Sequence, residues 1–101
     1  MIKHIVFWNL ADEAEGKNKK ENALFIKEEL ENLKNIIPEL KKIEVGINHP
    51  DAPQDNYDIV LYCEFDSLKD LDIYQNHPEH KRVAGYIGKV RTSRVAVDYE
   101  A

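Results

Sequence analysis

The first ten residues carry apolar side chains on both parities. Ile2, His4, Val6, Trp8 and Leu10 share one face of an extended strand, and Ile5 and Phe7 the other. A strand that is apolar on both sides needs two covers. Residues 11–18 are polar, contain Gly16 and read as a loop. From Lys19 to Ile37 the spacing changes to Ala23, Ile26, Leu30, Leu33 and Ile37, steps of three and four that stripe one face of a helix. Asn18 is placed to cap it, and Pro38 closes it because the residue before a proline avoids the α region.

Residues 40–48 alternate again, with Ile43, Val45 and Ile47 against Lys42, Glu44 and Gly46, which predicts a half-exposed strand. The proline-, Asp- and Asn-rich stretch HPDAPQDN is a loop. Residues 57–65 make the strongest strand: Tyr57, Ile59, Leu61, Cys63 and Phe65 on one face, Val60, Tyr62 and Glu64 on the other. Ser67 then caps a helix that turns Leu68, Leu71 and Tyr74 inward and breaks at His77-Pro78. Proline suits a first helical position, so a second segment is expected from Pro78 to about Tyr86. Residues 91–99 form a last strand with Val95, Val97 and Tyr99 on one side.

The order β-α-β-β-α-β specifies an α+β, ferredoxin-like domain over residues 1–101. Its four-stranded antiparallel sheet has helices on one face. The helix-free face carries Ile5, Phe7, Val60 and Tyr62, more apolar surface than a monomer leaves wet. A homodimer with two sheets packed face to face is therefore expected.

Composition narrows the partners. A net charge of −5, with lysines alternating with glutamates on helix faces, argues against nucleic acid, which needs a basic footprint. No run approaches the roughly 20 apolar residues that span a bilayer, so no membrane partner is expected. The opening MIKHIVFWNL reads as a strand, not a signal peptide. The single cysteine, Cys63, sits in an apolar run and reads as a buried thiol; a cytoplasmic setting fits it.

Candidate chemistry is confined to a few polar aromatic side chains. His4 lies on the strand face of Val6 and Trp8, and Tyr74 on the apolar side of the second helix, ahead of His77-Pro78-Glu79-His80. An imidazole exchanges a proton near neutrality, and a phenol beside it can hold a developing enolate. Trp8 and His77 are the ligand-binding candidates. Each has a plainer reading: core packing for His4, Tyr74 and Trp8, and a helix cap or hinge for His77. His77-x-x-His80 is broken by Pro78 and has too few companions for a metal site. No phosphate loop, serine elbow or dinucleotide fingerprint is present, so no cofactor is expected.

Taken together, several segments resemble the stress-responsive A/B barrel (Dabb) family across the chain. They are Ile2-Lys3-His4-Ile5-Val6, Ile43-Glu44-Val45-Gly46, Tyr57-Asp58-Ile59-Val60-Leu61 and Phe65-Asp66-Ser67-Leu68. Tyr74-Gln75-Asn76-His77-Pro78-Glu79-His80 and Val97-Asp98-Tyr99 complete the set. The resemblance implies protomers paired through their sheets in a dimeric barrel. It also implies binding of a small, largely apolar molecule between sheet and helices. One branch of the family, plant polyketide cyclases, closes a poly-β-ketone chain by aldol condensation without a cofactor. By that resemblance His80 is the general base, Tyr74 positions it or steadies the enolate, and His4 orients a polyketide-like ligand. A non-catalytic role in stress-related assembly is the further alternative.

Overall fold

The computed structural model describes residues 1–101. Strand β1 (Ile2–Leu10) leads into a small hairpin, β2 (Glu13–Ala14) and β3 (Lys17–Asn18), where the sequence suggested only a loop. Its turn places Glu15 and Gly16 at positive φ, 52° and 75°, the twist that a two-residue hairpin requires. Helix α1 (Lys19–Asn32) follows, then β4 (Lys42–Ile47), β5 (Ile59–Phe65), α2 (Leu68–Asn76), α3 (Pro78–Val90) and β6 (Arg91–Glu100). The four long strands form one antiparallel sheet in the order β4-β5-β1-β6, with β1 paired on both edges. This is the ferredoxin-like arrangement expected from the element order. No helix is long and apolar enough to cross a membrane.

Local chemistry sets the helix limits. Asn18 accepts from the Glu21 amide at 2.8 Å while the Glu21 carboxylate accepts from the Asn18 amide at 3.0 Å, a reciprocal cap on α1. The α-helix stops at Asn32, earlier than the apolar stripe suggests, and tightens into a 3-10 turn over Leu33–Asn35. Ile37, directly before Pro38, cannot continue an α-helix, so the last turn closes on shorter bonds. Leu33 and Ile37 remain fully buried; each contributes about 1.5–3 kcal/mol by leaving water. In the opposite sense α3 runs on past Tyr86 to Val90. Gly85 and Gly88 have φ values ordinary for a helix, and Ile87 and Val90 behind them are buried anchors.

One face of the sheet carries the helices. Val6, Trp8, Ile59, Leu61, Cys63 and Phe65 pack there against Ile26 and Leu30 of α1, Leu71 and Tyr74 of α2, and Val83 and Ile87 of α3. Two expected core positions fall outside it. Leu68 opens α2 on the solvent side, and Tyr57 precedes β5 and stacks its ring at 5.9 Å on Phe7. Helices α1 and α3 are joined by a bond from the Tyr86 hydroxyl to buried Asn22, 2.5 Å, and by the Arg82–Glu29 ion pair, 2.8 Å.

The other face has no helix. Cross-strand register lines up Gly46, Val60, Phe7 and Val95 in one row and Glu44, Tyr62, Ile5 and Val97 in the next. Phe7, Val95, Val97 and Tyr99 all stand exposed there, Val97 to 51%. Lys3, Tyr62 and Glu64 form a hydrogen-bonded polar group at one end of the same face.

Candidate active site

Antiparallel pairing of the first and last strands sets His4 directly opposite Asp98. The Asp98 Oδ1 lies 2.5 Å from His4 Nδ1. A carboxylate at neutral pH only accepts hydrogen bonds, so Nδ1 carries a proton, and in the neutral ring the lone pair is on Nε2. His4 is 3% exposed, and Nε2 has no partner within the chain.

The break between α2 and α3 supplies the facing side chain. His77 ends α2 and caps α3, its Nδ1 accepting from the Glu79 amide at 3.1 Å, while Pro78 takes the first helical position where no donor is needed. The Glu79 carboxylate turns outward to Arg82 at 2.9 Å. His80 therefore faces inward. Its Nδ1 is buried without a well-formed hydrogen bond, and the Gln75 backbone carbonyl lies beside the ring.

Tyr74 packs near both imidazoles. Its ring centroid is 4.5 Å from that of His80, 6.4 Å from His4 and 5.0 Å from Phe65. The phenol is fully buried, makes no hydrogen bond to nitrogen or oxygen, and has the Cys63 thiol as its polar neighbour. Burial pushes the thiol up to about 12 and the phenol well above its ordinary value, so both stay protonated.

Between sheet and helices is a cavity of about 140 Å³. Its buried walls are His4, Val6, Trp8, Leu30, Leu61 and Ile87, with His80 and Gln75 beside them. Arg91, Arg94 and Ala84 are exposed and form its mouth. Of the sequence candidates, His4, Trp8 and His80 line this cavity. Tyr74 stands behind the two histidines, and His77 is engaged as a cap away from the lining. No three His, Cys, Asp or Glu side chains gather as a metal site.

Three participants escaped sequence reasoning. Asp98 reaches His4 only through the β1–β6 register, which no local pattern encodes. Arg91 and Arg94 lie three residues apart, and regular alternation would send them to opposite faces. A bulge prevents this: Asn9 pairs with Ser93 but Leu10 with Arg91, leaving Thr92 unmatched. The extra residue shifts the parity of the strand. Arg91 and Arg94 thus sit opposite buried Leu10 and Trp8 and both reach the cavity.

The His80 imidazole is held below its ordinary value near 6.5, chiefly by burial. The nearby Gln75 backbone carbonyl acts in the opposite direction, and the charges of His4, Arg94 and His77 add to the lowering.

These features define a small α+β domain of ferredoxin-like topology with an imidazole-lined cavity under its helices. The chain belongs to the Dabb family, the stress responsive A/B barrel domain, which it matches over residues 2–101. Among solved structures it is similar to a dimeric protein of unknown function and ferredoxin-like fold from Bacteroides fragilis. That protein is 35% identical, with a TM-score of 0.79 over 99% of this chain and 95% of its own. A dimeric ferredoxin-like protein of unknown function from Thermobifida fusca is 27% identical, with a TM-score of 0.83 over 99% and 90%. A hydroxynitrile lyase from Passiflora edulis shares the fold at 22% identity, TM-score 0.75, over 97% and 90%. No curated protein sequence matches the chain.

The depressed His80 value has a stability consequence with a definite sign. Above about pH 6.5 the imidazole is neutral in both folded and unfolded chains and contributes no pH dependence. As pH falls below 6.5 towards the lower folded value, the unfolded chain takes up a proton that the folded chain refuses, and stability declines. His80→Gln is expected to flatten that part of the stability profile in urea titrations. The His80 ring should titrate by NMR below 6.5; a midpoint at or above it would refute burial as the controlling influence.

Proposed function

We propose that this Dabb-family protein is a homodimer that binds a small, largely apolar molecule of about one ring in each protomer's cavity. The observation that carries the binding reading is the cavity itself. Its volume of about 140 Å³ is close to the ~150 Å³ at which an apolar protein cavity accepts benzene. Its walls are mainly aliphatic and indole surface, with His4, His80 and Gln75 as convergent polar groups, the usual composition of a ligand site. This volume favours a ring-sized ligand over a long polyketide-like chain.

The dimer reading rests on the helix-free face. Phe7, Val60, Val95 and Val97 form a contiguous apolar surface that a second sheet would cover, and two similar structures are described as dimeric. Covering it buries on the order of 1,200–2,000 Å².

A second reading, proton transfer without a cofactor, is favoured by the His4–Asp98 pair. An imidazole whose Nδ1–H is fixed by a carboxylate presents Nε2 as a base, and the carboxylate stabilises the imidazolium once the proton arrives. On this reading His4 removes a proton from carbon next to a carbonyl. His80, neutral and half-buried, donates a hydrogen bond to the oxygen where charge collects. The resemblance to the cyclases gives the base role to His80. The carboxylate partner supports His4 instead. Tyr74 acts as a positioning residue that fixes the spacing of the two rings.

Sedimentation at micromolar concentration is expected to show a dimer, and Val60→Asp a folded monomer, because an unpaired charge would enter the interface. A wild-type monomer would end the dimer reading. For binding, the single tryptophan gives a unique indole N–H signal. Millimolar benzamide should shift it, and Ala84→Phe at the cavity mouth should abolish the shift; an indole signal that no ring-sized probe moves would remove the binding reading. For catalysis, hydrogen–deuterium exchange at the methyl carbon of acetophenone, followed by NMR, should be accelerated by the protein. Asp98→Asn should slow it at least about tenfold. Exchange indifferent to Asp98 would exclude His4 as the base and leave binding untouched.

A further inference from the structure

We propose that the molecule held in this cavity is a small carboxylic acid, its apolar body inside and its carboxylate bound by Arg91 and Arg94 at the mouth. The inference rests on the binding reading above and names the class of ligand.

Charge pairing across the molecule leads to it. The chain is acidic overall, and of its three arginines Arg82 is paired with both Glu29 and Glu79. Arg91 and Arg94 have none, and neither hydrogen-bonds a backbone carbonyl. They are brought together on one side of β6 only by the bulge at Thr92, a device that re-aims side chains next to functional sites. No Asp or Glu lines the cavity, and Asp98 is already engaged by His4.

The uncharged groups agree with an anionic guest. The Trp8 indole N–H is buried without an acceptor, on a residue 5% exposed whose ring lines the cavity. A site with two guanidinium groups, an indole donor and a Gln75 side chain is rich in donors and poor in fixed acceptors. Guanidinium forks match the planar carboxylate in geometry and charge. The depth then fixes the rest of the ligand: roughly one ring fits behind the carboxylate, between Trp8, Leu30, Leu61 and Ile87. The positive charge of Arg94 also reaches His80, which places the guanidinium field inside the site.

The test compares benzoate with its neutral near-isostere benzamide at pH 7.5, by NMR titration of the Trp8 indole signal in the full chain. Benzoate should bind at least about tenfold more tightly than benzamide, the scale of a charged hydrogen-bonded pair. The double variant Arg91→Gln, Arg94→Gln should bring the two ligands to within about twofold of each other, chiefly by weakening benzoate. Equal affinity of the wild-type chain for both probes, which needs no variant, would overturn the carboxylate proposal and leave the cavity reading intact. A preference for benzoate that survives the double variant would overturn the assignment to these arginines. If neither probe moves the indole signal, the binding reading fails and the carboxylate proposal with it.

Discussion

Strand β1 is apolar on both faces and hydrogen-bonded on both edges, and this double demand organises the molecule. Its edges take β5 and β6, which fixes the sheet order. Its inner face, with Val6 and Trp8 nearly inaccessible, requires the helices, and each such side chain contributes about 1.5–3 kcal/mol only if they close over it. Its outer face, Ile5 and Phe7 in register with Val97 and Val95, is left without a layer by the protomer's own chain. A small domain has one set of helices to place, so the second cover has to come from elsewhere. The proposed dimer is the counterpart of that shortage.

The same strand decides where chemistry is available. Because β1 is central, its inward polar residue, His4, has neighbours from β6 on one side and β5 on the other. Asp98 stands opposite on β6 and Cys63 on β5. The carboxylate orients the ring; the thiol, far above its ordinary value, offers no charge. Cavity space remains because Trp8 lies along the wall and α3 approaches with Ala84 and Ile87, not with two large side chains.

Much of the fold was legible because it rests on period: steps of three and four for the helices, alternation for the strands. The inward placing of His4 was legible for the same reason, while His80 entered through the family resemblance. What could not be read depends on register. Asp98 meets His4 only because β6 pairs with β1 at one alignment, and a slip of one residue would turn it to the other sheet face. The Thr92 bulge is a defect in alternation, so the rule that located Val95, Val97 and Tyr99 correctly would separate Arg91 from Arg94. Pro38 marked the end of α1, but the tightening of its last turn, which shortens the α-helix while keeping Ile37 buried, is a tertiary choice.

The two histidines illustrate how environment divides labour between identical side chains. His4 has a carboxylate on one nitrogen, so an added proton would find a counter-charge at 2.5 Å. His80 has its burial first and the charge of Arg94 besides, which together outweigh the Gln75 carbonyl and disfavour a second proton. One fold thus holds a carboxylate-oriented imidazole beside a buried one kept neutral. In the proposed reading both arginines hold the guest by its charge, and Arg94 adds a small push to the burial that keeps His80 neutral. A carboxylate seated between them would cancel part of that push. The neutrality of His80 would then rest still more on its burial, which the ligand's apolar body deepens by excluding water from the cavity.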